Sequence, residues 1–120
     1  MPQFMLILHE TPGGFAKLSP TEIQAIIEKY AAWTGKLAAA GKLVGGHKLK
    51  EEGGKALAKA GDRVTVVDGP YSETKEVVGG YFIVRAANYD EAVQLCTDAP
   101  HLPYGRIEVR EVDFMGRPET

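Results

Sequence analysis

Two capped helices, each placed between strand-like segments, constrain the fold of this 120-residue chain more than any other feature. Residues 19–22 are Ser-Pro-Thr-Glu, a capping box with proline at the first helical position. Apolar residues at helical spacing continue to about residue 40, where Gly41 is placed to end the helix. Residues 88–91, Asn-Tyr-Asp-Glu, predict a shorter second helix that ends before Pro100. The side chains of the first helix expected to pack on a sheet are Ile23, Ile26, Ile27, Tyr30, Trp33 and Leu37.

Strand-like segments precede and follow both helices. Phe4 to Leu8 is a continuous apolar run, which is typical of a strand covered on both faces. Two short segments joined by Ala60-Gly61-Asp62 predict a hairpin between the two strand–helix–strand units. The predicted strands are residues 4–8, 42–49, 55–60, 63–68, 77–85 and 105–112.

This order of elements predicts an α+β fold, a ferredoxin-like sandwich with a hairpin insert. Right-handed crossovers place both helices on one face of an antiparallel sheet and leave the other face bare. Since residues 4–8 and 81–84 are apolar on both sides, the bare face is expected to be buried against a partner. We therefore expect a homodimer that packs sheet to sheet with two-fold symmetry.

Composition indicates one ordinary globular domain, with 44% hydrophobic and 25% charged residues. We expect the domain to span residues 1–114 and residues 115–120 to form a flexible tail, because Gly116 and Pro118 interrupt any regular structure there. A formal charge of −2 without a basic block gives no reason to expect nucleic acid or an anionic membrane surface as partner. No apolar run is long enough to span a membrane, and the first residues lack the features of a signal peptide, so a cytoplasmic location is expected.

The residue types that hold common cofactors and metals are not suitably spaced. The single Cys96 cannot form an intramolecular disulfide, and no Cys and His spacing resembles a metal site. No G-x-G-x-x-G follows a strand, which argues against flavin or nicotinamide binding. The sequence therefore predicts neither a metal nor a cofactor.

The densest chemistry lies in residues 68–81, Asp-Gly-Pro-Tyr-Ser-Glu-Thr-Lys-Glu-Val-Val-Gly-Gly-Tyr. An Asp at a turn usually accepts a hydrogen bond from the backbone N–H two residues on, but Pro70 has no N–H. The Asp68 carboxylate must bind another group of the loop, water or a ligand. Gly79-Gly80 allows a bulge, or a close approach by another backbone or a small molecule. A well-capped, solvated turn and a functional site both remain open.

A small-molecule site in this region would use Asp68 as base or anchor. His47 follows Gly45-Gly46 on the second predicted strand and is its candidate catalytic partner, because a carboxylate orients a histidine ring for acid–base work. The candidate substrate-binding residues are Glu73, Lys75, Gly79, Gly80 and Tyr81.

The two other histidines have weaker cases as site residues. His9 ends the first strand next to Glu10, and His101, between Pro100 and Leu102, is expected to be a surface residue of a loop.

The order Asp-Gly-Pro-aromatic, Glu-Thr-Lys-Glu and Gly-Gly-Tyr in residues 68–81 resembles the signature of the YCII-related (YciI-like), or DGPF-domain, family. The resemblance covers nearly the whole chain, including residues 43–46 and 107–112. It implies a dimeric α+β barrel and a cleft with a paired His and Asp suspected of enzymatic activity. The first helix contains no histidine, so the helix-borne histidine of the YciI branch has no counterpart here.

Two functions follow from these observations. The first is a small-molecule site around Asp68, with or without acid–base catalysis. The second is a non-catalytic, dimeric accessory or regulatory module that binds a protein which the sequence does not identify. The resemblance links such a module with sigma factors of transcription initiation or with stress responses. A polar pocket that contains Asp68 would favour the first function, and an Asp68 that only caps its own loop would favour the second.

Overall fold

The computed structural model describes residues 1–15, 17–51, 53–69 and 76–119. Both predicted helices and all the predicted strands are confirmed. In chain order they are β1 (Gln3–Glu10), α1 (Pro20–Ala39), β2 (Leu43–Lys48), β3 (Lys55–Ala60), β4 (Arg63–Asp68), β5 (Val77–Arg85), α2 (Tyr89–Cys96) and β6 (Gly105–Glu111).

The ends of α1 follow from local chemistry. The backbone N–H of Glu22 donates to the Ser19 hydroxyl at 3.1 Å, and the Ser19 N–H donates to the Glu22 carboxylate at 3.2 Å. This reciprocal pair satisfies two of the N–H groups that a helix leaves free at its start. The chain leaves the helix through Gly41, whose φ of +71° is accessible to glycine at little cost.

The main sheet has four antiparallel strands in the order β2-β5-β1-β6. With the hairpin set aside, this is the strand order that two interleaved strand–helix–strand units produce, and it confirms the ferredoxin-like α+β fold. The hairpin of β3 and β4 forms a separate two-stranded sheet whose residues are all exposed.

The core lies between the helices and one face of the sheet. Phe4, Leu6 and Val84 of the central strands are fully buried there against Trp33 and Leu37 of α1. Because side chains alternate along a strand, Met5 and Ile7 lie on the opposite face, where they are only half-buried. Within one chain, therefore, a single face of β1 is fully covered, and coverage of the second by a partner stays a prediction.

Two further observations concern the ends of the chain and the membrane. Residues 113–117 form a turn in which the Met115 N–H donates to the Asp113 carboxylate at 2.7 Å. The domain boundary at residue 114 and the flexible tail stay predictions.

In the described part of the chain, no helix combines the length and the apolar character needed to cross a membrane.

Candidate functional site

A cavity of about 370 Å³ lies between α1 and the sheet. Its walls are mostly apolar because α1 carries apolar residues that do not pack into the core. Ile26 is buried, whereas Ile23 and Ile27 are 36% and 53% exposed and line the cavity. The prediction that all the apolar residues of α1 pack on the sheet is therefore only partly met. The apolar lining consists of Leu8, Phe15, Ile23, Ile26, Ile27 and Phe82, and the polar and glycine lining of Glu10, Tyr30, His47, Lys48, Glu51, Gly79, Gly80 and His101.

Glu10 is the buried carboxylate of this cavity, with 8% of its surface exposed. It ends β1 on the same face as Leu8, which the alternation of the strand directs towards the helices. Opposite it the register of β5 shifts, because Leu8 pairs with Gly80 and His9 with Val78. Gly79 is thereby left as a bulge, and a Cβ atom at this position would overlap the Glu10 carboxylate. The predicted bulge is confirmed at Gly79. The predicted close approach of another backbone is found at Gly80, where a Cβ atom would lie 2.9 Å from the carbonyl oxygen of His47.

His101 is held inside the molecule by two hydrogen bonds. Its Nε2 lies 2.8 Å from the carbonyl oxygen of His9, and its Nδ1 lies 2.9 Å from the hydroxyl of Tyr30. Since a carbonyl can only accept, Nε2 carries a proton, and in the neutral ring Nδ1 accepts from Tyr30. The ring is only 2% exposed, so the prediction that His101 is a surface residue is wrong. Both ring nitrogens are bonded, which removes the main cost of burying them.

Tyr30 brings a phenol to the same cavity. Burial raises the pKa of Tyr30 well above its ordinary value, and the negative charge of Glu10 and the nearby Tyr104 add to this. At neutral pH the phenol therefore keeps its proton, and its O–H donates a hydrogen bond to Nδ1 of the neutral His101 ring. What Tyr30 then offers to a bound molecule is an oxygen that accepts hydrogen bonds.

Asp68 and His47, the predicted catalytic pair, are not in contact. Asp68 ends β4 with its side chain 81% exposed, and its carboxylate forms an ion pair with Lys55 across the hairpin. It is not among the described residues that line the cavity. His47 borders the cavity, but its ring lies 5.8 Å from that of Tyr81, its neighbour on β5. The catalytic assignment of the two residues stays a prediction.

The other predicted site residues divide into three groups. Gly79 and Gly80 line the cavity. Tyr81 alternates with Phe82, which packs on the core, so Tyr81 lies on the sheet face that the helices leave open. Glu73 and Lys75 lie outside the described residues.

A second cavity, of about 580 Å³, shares Glu10, Lys48, Glu51 and Gly79 with the first and extends to Gly69 of the 68–81 stretch.

Five polar residues of the cavity were missed by reasoning from the sequence: Glu10, Tyr30, Lys48, Glu51 and His101. Glu10 could have been found, because it continues the buried i, i+2 series of Leu6 and Leu8 on β1. Tyr30 was assigned to the core face of α1, which is correct but does not indicate its hydroxyl partner. No local pattern indicated that His101 contacts both α1 and β1.

The remaining observations concern metal ligands and the comparison with known proteins. No group of three or more His, Cys, Asp or Glu residues is arranged to hold a metal ion in the described ranges. A search of curated proteins gives no significant match. A scan of protein families matches residues 3–115 to the YCII-related domain, which covers the sheet, both helices and the cavity. The chain therefore belongs to the YCII-related family.

Proposed function

We propose that this protein binds a small, largely apolar molecule in the cavity between α1 and the sheet. One observation carries the proposal: a mostly apolar cavity of about 370 Å³ is lined by Glu10, an acidic residue with only 8% of its surface exposed. Ligand sites typically have this combination of an apolar lining, a few fixed polar groups and a volume of roughly 300–1,000 Å³. The Glu10 carboxylate is also a group that can exchange a proton with a bound molecule, so acid–base catalysis belongs to the same proposal.

A substitution that fills the cavity tests this site. Ile27 lines the cavity with its side chain half-exposed, so tryptophan at this position can occupy the cavity without entering the core. We expect compounds from a metabolite library that raise the melting temperature of the wild type to leave the Ile27→Trp variant unchanged. A ligand at 100 times its Kd stabilises the folded state by about 2.7 kcal/mol, which a thermal-shift assay detects.

Two control variants make the result specific. Val93→Trp introduces the same side chain on α2 at a position that is 50% exposed, close to the 53% of Ile27, and outside the described cavities. Asp68→Asn separates the cavity from a site centred on Asp68. Both variants should respond to ligand as the wild type does. A library without hits, or hits that stabilise Ile27→Trp equally, would contradict the proposal, and loss of binding only in Asp68→Asn would move the site to the hairpin.

A second candidate function is that of a dimeric accessory module which acts through its surface. It is favoured by the sheet face opposite the helices, where Met5, Ile7, Tyr81 and Ile83 are only half-buried. An apolar face of this kind on the central strands is characteristic of a protein contact. A homodimer through this face is compatible with ligand binding, because the cavity lies on the helix side of the sheet.

A further inference from the structure

We propose that the molecule bound in the cavity carries a protonated amine on a small apolar body, and that the Glu10 carboxylate binds the ammonium group. The inference rests on the proposed function, since it names the ligand class of the same cavity. It is carried by what surrounds Glu10 and by the kinds of polar group that share the cavity with it.

The first argument is the lack of a partner for Glu10. The residue has only 8% of its surface exposed, and it lines the cavity. Between residues that the structure describes, none of the ion pairs includes Glu10, and none of the side-chain hydrogen bonds ends on its carboxylate. None of the buried side-chain oxygens of the described residues lacks a hydrogen-bond partner, so the unpaired carboxylate oxygens of Glu10 face the open space of the cavity, where water solvates them. A ligand that displaces this water has to supply N–H donors and a compensating charge in its place, which an ammonium group does.

The second argument is that the neighbouring polar groups also accept hydrogen bonds. The Tyr30 proton is directed to His101, and both nitrogens of His101 are already bonded. A ligand therefore meets a carboxylate and a phenol oxygen, and an ammonium group has three N–H donors for such acceptors. A carboxylate ligand would bring like charges together at Glu10.

The third argument is the charge of the whole lining. Lys48 also borders the cavity, but its ammonium donates to the carbonyl oxygen of Leu49 at 3.2 Å. Glu51 borders the cavity too, so two carboxylates and one ammonium group line it. The formal charges of Glu10, Glu51 and Lys48 sum to −1, which favours a cationic ligand.

The experiment compares head groups on a constant body. Isothermal titration calorimetry is performed with the amine, the alcohol and the carboxylic acid of three bodies: hexyl, cyclohexylmethyl and 2-phenylethyl. We expect the amine to bind about 10- to 100-fold more tightly than the alcohol of the same body, the range for a hydrogen bond to a charged group. The acid should bind more weakly than the alcohol.

Two variants then test whether the preference for the amine depends on Glu10. Glu10→Gln keeps the shape of the side chain and removes its charge, so the amine should lose its advantage while the alcohol binds as before. Glu51→Gln is the matched control at the same cavity and should keep the advantage. If circular dichroism shows that Glu10→Gln does not fold, the ligand class is tested by the wild type alone. The amine must then bind more tightly than the alcohol, and the alcohol more tightly than the acid.

The outcomes separate this inference from the function on which it rests. Alcohols or acids that bind as tightly as amines, and lose binding in Ile27→Trp, would overturn the ligand class and leave the cavity as a binding site. An amine preference that survives Glu10→Gln would overturn the role of Glu10. Absence of binding in all three series would overturn both proposals.

Discussion

Single residues decide the shape of the cavity at the point where Glu10 meets Gly79. The glycine pair in the sequence predicted close approach on β5, and the structure confirms it. The approaching group could not be predicted, because Glu10 lies on a different strand and the register shift between Leu8 and His9 depends on the assembled sheet. His101 is the same case, since its partners on α1 and β1 become its neighbours only in the folded molecule.

Replacement of Gly79 by alanine tests the contact with Glu10. The new methyl group would overlap the carboxylate, so the Glu10 side chain has to move or the strand has to shift. We expect Gly79→Ala to lower the free energy of unfolding by about 1–3 kcal/mol, the usual cost of overpacking. Urea denaturation measures this change.

Gly35 on α1 supplies the control, because a Cβ atom there meets no atom within 4 Å beyond its chain neighbours and the backbone of its own helix. No close contact explains this glycine among the described residues, and Gly35→Ala should raise stability by up to about 1 kcal/mol through helix propensity. Equal stability of wild type and Gly79→Ala would show that the carboxylate is not fixed against Gly79.

At the scale of elements, the helices and strands could be predicted from caps and hydrophobic periodicity, and their order in the sheet from the handedness of the crossovers. The interactions between side chains of neighbouring strands could not. His9 of β1 and Glu108 of β6 form such an interaction, with Nε2 and Oε1 2.9 Å apart on the open face of the sheet. The hydrogen bond from His9, followed by that from Arg110, holds the pKa of Glu108 below its ordinary value.

This pair predicts how stability depends on pH. Because the pKa of Glu108 is lower in the folded than in the unfolded protein, its contribution is complete above the unfolded value of about 4.3. It is lost as the pH falls through the lower, folded value. Glu108→Gln should therefore lose less stability than the wild type between about pH 5 and pH 3.

Urea denaturation at several pH values in this range measures the effect. Glu111→Gln is the control on the same strand, because no ion pair of Glu111 is found within the described ranges. The control should lose stability as the wild type does. Identical pH dependence of Glu108→Gln and wild type would contradict an energetic role for the pair.

For the whole molecule, the fold class and the family could be predicted from the sequence, whereas the cavity could not. Apolar residues at helical spacing do not reveal whether they pack on the sheet or line a cavity above it. The sequence therefore predicts Ile23 and Ile27 as core residues, whereas both are exposed and line the cavity. The open face of the sheet is the other property at this scale. Its four half-buried apolar residues support the proposal of a homodimer, which burial of that face would stabilise.

Sedimentation equilibrium tests the homodimer. We expect a dimer at micromolar concentration for the wild type and a monomer for Ile83→Lys, because two-fold symmetry would bury two uncompensated charges in the contact. Val93→Lys, on the exposed side of α2, should remain a dimer. A monomeric wild type would contradict the proposal.

The position of β1 in the sheet has a consequence for how the chain folds. Phe4 lies between Val84 and Glu111, so the first strand of the sheet is paired with two of the last segments of the described chain. Contacts so distant in sequence require closure of long loops before they return any stabilisation, and such topologies fold slowly. During synthesis, β1 has no partner strand until β5 has left the ribosome, and it lacks its second partner until β6 follows. The apolar run of β1 is thus exposed to aggregation for longer than any other strand of the sheet.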